Sequence, residues 1–78
     1  MKVIRVTQRM VQRRIEELNE ILIMKGNPYC FEVNWKDFGC KLYSITYSAG
    51  KYDANLEFDG TKKQVWVILG ILIMIMAE

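Results

Sequence analysis

The chain has 78 residues, of which 51% are hydrophobic and 26% are charged. A chain of this length forms one domain that buries about 60–65% of its extended surface, and its apolar content excludes a disordered protein. Eleven Lys and Arg against nine Asp and Glu give a net charge of +2, with a pI near 8.6 that lies below the range of dedicated nucleic-acid-binding domains.

The first predicted element is an amphipathic helix over about residues 7–24. Its apolar stripe has spacings of four, three and four and consists of Val11, Ile15, Leu18 and Leu22. Polar residues, with Asn19 among them, are predicted on the opposite side. Thr7 is the expected N-cap, and Gly26 is the expected left-handed stop.

Three strands follow Pro28, because the apolar period changes from helical to two. The first covers residues 29–35, and a turn at residues 36–39 leads to the second at 40–47. The third covers residues 53–59 and is predicted to pair Phe58 with Leu42.

This register assigns the side chains of the sheet to two faces. The apolar residues of the first strand lie on the core face with Leu42, and so do those of the third strand, Ala54, Leu56 and Phe58. Tyr43, Ile45 and Tyr47 point to the other face.

Thr61 and Gln64 match a capping box, which predicts a last helix over about residues 62–77. The uncharged run 65–77 would cover about 20 Å as a helix, too little for a bilayer core of about 30 Å. The sequence therefore predicts an α+β fold: a three-stranded antiparallel β-meander with an N-terminal and a C-terminal α-helix (α-β-β-β-α), both helices on one face, as a single domain of residues 1–78.

The last helix is apolar at every angle, so one sheet and one other helix leave part of it uncovered. We therefore predict self-association into a homodimer through the side that carries its small residues. The predicted residues are Trp66, Leu69, Gly70, Ile73, Met76 and Ala77. The alternative is a monomer in which residues 1–6 cover the gap, and those residues suit either a short strand or an extension of the first helix.

A second surface is predicted to bind a partner, either a host or phage protein or, as an alternative, nucleic acid. It combines an arginine row on the first helix with the outer sheet face, and its residues are Arg5, Arg9, Arg13, Lys41, Tyr43 and Tyr47. The simpler interpretations are that Arg13 pairs with Glu16 or Glu17, and that the tyrosines only stabilise the sheet.

Enzymatic, metal and cofactor chemistry have little support in the sequence. There is no histidine, no Cys-x-x-Cys and no recognisable nucleophile motif. Cys30 and Cys40 fall on different sheet faces, which rules out a disulfide between them. We expect a non-enzymatic protein without a bound metal or cofactor. The absence of a signal-peptide pattern in residues 1–14 favours the cytoplasm of a bacterial host.

Four short segments, "RRIEELNEIL", "PYCFEV", "GCKLY" and "GTKKQV", give the chain its one family resemblance. In the order of its elements from about residue 8 to 76 it resembles small uncharacterised proteins encoded by phages and prophages of gut bacteria. The last helix departs from the more amphipathic one of that group. The resemblance implies a small accessory protein of a phage or mobile element that binds or inhibits a host factor, and it implies no catalytic or binding residue.

Overall fold

A computed structural model describes residues 5–78 and confirms the predicted order of elements. The elements are α1 (Gln8–Met24), β1 (Tyr29–Trp35), β2 (Cys40–Ser48), β3 (Lys51–Gly60) and α2 (Lys62–Met76). The strands form one antiparallel sheet in the order β1-β2-β3. The chain is therefore an α+β domain with an open three-stranded sheet.

The helix boundaries follow from their capping residues. The side chain of Thr7 accepts a hydrogen bond from the Met10 amide, and Thr61 and Gln64 form the predicted reciprocal capping box. Gly26 adopts a φ of 73° just after α1. Both helices therefore begin and end within about one residue of the positions that the sequence predicts.

The register of β1 with β2 is the predicted one, with Val33 opposite Leu42. In the next pair Phe58 lies opposite Leu42 as predicted, but Tyr43 then lies opposite Leu56, so Glu57 is an extra residue in β3. This bulge shifts the alternation of the strand by one residue. The prediction for Leu56 was therefore wrong: Leu56 shares the outer face with Tyr43.

The same shift moves Ala54, which lies opposite Ile45 on the outer face rather than in the core. Glu57 itself accepts a hydrogen bond from the Ser44 hydroxyl at 2.9 Å. The bulge therefore leaves only the last part of β3 to supply the core.

The core lies between the two helices and the inner face of the sheet. Its buried residues are Val6, Val11, Ile15, Leu18, Leu22, Phe31, Cys40, Leu42, Val65 and Leu69. α1 packs on α2 and β1, while α2 also contacts β2 and β3. The chain reverses its direction four times between α1 and α2, so the two helices run in the same direction. Arg14 meets Trp66 near their starts, and Lys25 meets Glu78 at their ends.

Most of the predicted N-terminal segment 1–6 lies outside the described residues. Of the two residues that are described, Arg5 is exposed and Val6 belongs to the core. Across the described part of the chain, no helix is both long and apolar enough to cross a membrane.

Candidate interaction surfaces

The side of α2 on which self-association was predicted is largely covered by the chain's own α1 and core. Leu69 is fully buried, and Trp66, Ile73 and Met76 pack against the core cluster. Ala77 is exposed as the C-cap of the helix. The helix that approaches the small residues of α2 is therefore α1 of the same molecule.

Arg14 of α1 contacts both Trp66 and Gly70 of α2. Its guanidinium lies 3.6 Å from the centre of the Trp66 ring and donates a hydrogen bond of 2.6 Å to the Trp66 carbonyl oxygen. Gly70 makes room for it, since a Cβ at this position would lie 2.5 Å from Nη1 of Arg14. Arg14 therefore joins the two helices through a cation–π contact and a charged hydrogen bond.

The opposite side of α2 is exposed and aliphatic. Val67, Ile71, Met74 and Ile75 keep 45%, 52%, 72% and 57% of their surface accessible. Their spacing of four, three and one places them on one continuous face of the helix, here called the α2 stripe. Beside it, a groove of about 390 Å³ lies between α2 and the inner sheet face. Its lining is mostly apolar and includes Phe58, Ile68 and Leu72, with Glu57 among its polar residues.

Asn19 closes the free edge of β1. Its carboxamide accepts a hydrogen bond of 2.7 Å from the Phe31 amide and donates one of 2.8 Å to the Phe31 carbonyl. The predicted position of Asn19, on the side of α1 opposite the core, is wrong. Asn19 stands four residues after the buried Ile15, and this spacing puts both residues on the same side of α1.

The open face of the sheet carries an aromatic and aliphatic patch. Tyr47 and Tyr52 pack edge to face with ring centres 5.4 Å apart, and Leu56 is half-exposed. Tyr43 and Ile45 point to this face as predicted, although Ile45 is buried among its neighbours. Partial desolvation, followed by the negative charge of Glu32, raises the pKa of Tyr52.

The predicted partner-binding residues do not form one continuous groove in the described structure. Arg9 and Arg13 are exposed and line a groove of about 510 Å³ with Trp35, whereas Tyr47 lines a different groove with Ile45. Arg13 forms no ion pair with Glu16 or Glu17 in residues 5–78. The predicted pairing of Arg13 is therefore not formed in the described residues, and its side chain is exposed to solvent.

Lys36 and Asp59 form a surface ion pair between the first turn and the end of β3. The hydrogen bond from Lys36 holds the pKa of Asp59 below its usual range. Lys41 is half-buried and lies opposite Asp59 in the sheet.

Cys40 and Cys30 are both free thiols, as their placement on opposite faces predicts. Burial raises the pKa of the Cys40 thiol, which keeps it in the neutral form. Among residues 5–78 no three His, Cys, Asp or Glu side chains come together in a way that could hold a metal ion.

No protein-family model matches this chain, and neither a curated protein nor a solved structure shows significant similarity to it.

Proposed function

We propose that this chain is a non-enzymatic protein-interaction module that forms a homodimer through the α2 stripe. The observation that carries the proposal is the side-by-side exposure of Val67, Ile71, Met74 and Ile75 on a helix with no charged residue between Lys63 and its end. This role fits an accessory protein of a phage or mobile element. The four short segments that resemble such proteins support this part of the proposal.

The size of the stripe supports an interface rather than scattered surface residues. Four half-exposed aliphatic side chains present on the order of a few hundred Å² of apolar surface, which is the scale of the patches that mark interaction sites. Burying that area would contribute several kcal/mol on each protomer at about 25 cal/mol per Å², before the cost of association.

A second copy of the chain is the occupant that fits this surface best. The stripe is straight, uncharged and aliphatic, so the same stripe related by a two-fold axis meets it without leaving a charge or a polar group unpaired. A partner with a charged helix would lose hydration along the whole contact. The α2 stripe of each protomer therefore offers an uncharged apolar surface that can bury the α2 stripe of the other.

The open sheet face is the surface for a different partner protein. Its exposed aromatic residues Tyr47 and Tyr52 are of the type enriched in protein interfaces, and Leu56 extends the patch. This face stays accessible in a dimer formed through α2, since the two surfaces lie on different layers of the fold.

The test compares two identical substitutions in exposed isoleucines. Ile71→Lys places a charge in the middle of the α2 stripe, and Ile23→Lys places the same charge on α1, where Ile23 is 74% exposed. Light scattering after size-exclusion chromatography in reducing buffer is expected to give a two-chain mass for the wild type and for Ile23→Lys, and a one-chain mass for Ile71→Lys.

A two-chain mass for Ile71→Lys, or a one-chain mass for Ile23→Lys alone, would show that the contact lies elsewhere. Circular dichroism of both variants separates loss of the interface from loss of the fold. Cys30→Ser, measured without reductant, serves as a further control, because its mass then reports any dimer that depends on an intermolecular disulfide of the partly exposed Cys30.

A further inference from the structure

The cations of the described chain are gathered at one end of the molecule. Three segments meet there: the start of α1 with the residues before it (5–14), the turn between β1 and β2 with its flanks (34–41), and the end of β3 with the start of α2 (57–66). Together they hold eight Lys and Arg against three carboxylates, whereas the other described residues hold two cations against six carboxylates. We call the three segments the basic end.

Both helices add to the positive potential of the basic end. They run in the same direction and both begin there, and neither has an acidic residue in its first turn. The N-terminal end of a helix carries roughly half a positive charge, so cations placed there oppose the dipole. The stability of the two helices does not favour cations at their N-terminal ends. Where a sequence departs from such local preferences, the departure often marks a functional site.

Few of these cations are neutralised within the described residues. Lys36 pairs with Asp59, and Arg14 is held by the ring and carbonyl of Trp66. Arg9 and Arg13 make no ion pair and no side-chain hydrogen bond there, and both are exposed. Their guanidinium groups remain available for an external anion.

A groove beside these two arginines brings two cations together with an aromatic ring, two amides and one carboxylate, that of Glu16, which lies just beyond the basic end. It measures about 510 Å³, within the size range of ligand pockets, and it is lined by Arg9, Arg13, Trp35, Gln8, Gln12 and Glu16. Guanidinium groups bind phosphate in a bidentate way, and the Trp35 indole, which is 36% exposed, offers a stacking surface. The two glutamine amides supply donors and acceptors for base edges or sugar hydroxyls.

We infer that the basic end binds single-stranded nucleic acid, with Arg9 and Arg13 on the phosphates and a base stacked on Trp35. Phe38 stands 94% exposed in the neighbouring turn and supplies a second aromatic surface along the strand. A lipid bilayer fits less well, because Gln8 and Gln12 place amide groups beside the two arginines, and these suit base edges or sugar hydroxyls.

The experiment measures the fluorescence anisotropy of a labelled twelve-nucleotide oligothymidine titrated with the protein at several salt concentrations. The double variant Arg9→Gln/Arg13→Gln removes two cations from the groove, and the matched control Lys25→Gln/Lys51→Gln removes two exposed cations from the rest of the molecule. We expect the groove variant to bind at least tenfold more weakly and to lower the slope of log K against log salt by about 1.4. The control is expected to stay within about twofold of the wild type.

A second readout reports stacking on Trp35. Binding should quench tryptophan emission in the wild type, and Trp35→Leu should remove most of the quenching, because Trp35 lines the groove with Arg9 and Arg13 while the guanidinium of Arg14 covers one face of the Trp66 ring. Heparin should compete for the site without quenching the emission.

Three results would overturn the assignment: no binding at 20–50 mM salt, equal weakening by the groove and control variants, or binding to vesicles with anionic lipid but not to the oligonucleotide. Unchanged quenching in Trp35→Leu would also contradict the proposed stacking. These outcomes are independent of the α2 dimer, since Ile71→Lys leaves every residue of the groove in place.

Discussion

At the residue scale, the contact among Arg14, Trp66 and Gly70 decides how closely the two helices pack. Gly70 is an unfavourable residue inside a helix, by roughly 0.5–1 kcal/mol relative to Ala. The structure explains its presence, since a side chain here would displace the Arg14 guanidinium from the Trp66 carbonyl. The sequence identified Gly70 as a point of close approach, but it could not identify an arginine of the same chain as the approaching group.

A double-mutant cycle tests this contact. Gly70→Ala in the Arg14→Ala background is expected to stabilise the fold by about 0.5–1 kcal/mol, because the added Cβ then meets no guanidinium. In the wild-type background the same change should give a smaller gain or a loss. Urea unfolding at one protein concentration measures both values, and an identical effect in the two backgrounds would mean that Arg14 and Gly70 are not coupled.

At the element scale, the two edge strands of the sheet are protected from pairing with another strand in different ways. The free edge of β1 is covered by α1, and the Asn19 side chain forms hydrogen bonds with both the backbone amide and the carbonyl of Phe31. β3 forms the other edge, where Asp53, Glu57 and Asp59 supply charge and Glu57 forms a bulge. Covered edges, edge charges and bulges each discourage pairing with another strand.

Asn19→Ala is expected to lower the free energy of unfolding by about 1–3 kcal/mol, because it leaves a partly buried amide and carbonyl of β1 without partners. Alanine has the higher helix propensity, so a loss of stability reports the missing hydrogen bonds. Gln12→Ala removes an exposed amide from the same helix and should change stability by less than about 0.5 kcal/mol. Equal urea midpoints for Asn19→Ala and wild type would contradict the role of Asn19.

Much of the architecture could be predicted from the sequence, because local patterns determine it. The helical spacing of Val11 to Leu22, the alternation after Pro28 and the capping residue Thr61 led to all five elements and to the register of β1 with β2. The bulge at Glu57 could not be predicted, since an extra residue in one strand leaves no mark in the alternation of Ala54, Leu56 and Phe58. This one extra residue places Ala54 and Leu56 on the outer face and leaves only Phe58 on the core face.

At the scale of the whole molecule, two properties emerge only when the elements are assembled. The net charge of +2 does not show that the charged residues are unevenly distributed, with an excess of cations at one end of the molecule and an excess of carboxylates in the remainder. The separation becomes visible once the parallel helices bring residues 5–14, 34–41 and 57–66 together. Bulk composition carries no information of this kind.

The exposed side of α2 is the second such property. When a helix is apolar at every angle, its sequence does not distinguish the buried face from the exposed face. The sequence therefore predicted that one side of α2 is uncovered, but it could not show which side. The position of α1 decides it: Leu69 faces inward, and Ile71 and Met74 face solvent. The residues that we propose for dimerisation therefore differ from those that the sequence favoured, although the helix is the same.

Sedimentation equilibrium of the wild-type chain in reducing buffer, over a concentration series from low micromolar to several hundred micromolar, tests the role of α2 most directly. The proposed dimer predicts a mass that approaches two chains at the upper concentrations and falls towards one on dilution. A mass of one chain across the whole series would mean that the α2 stripe stays exposed to water.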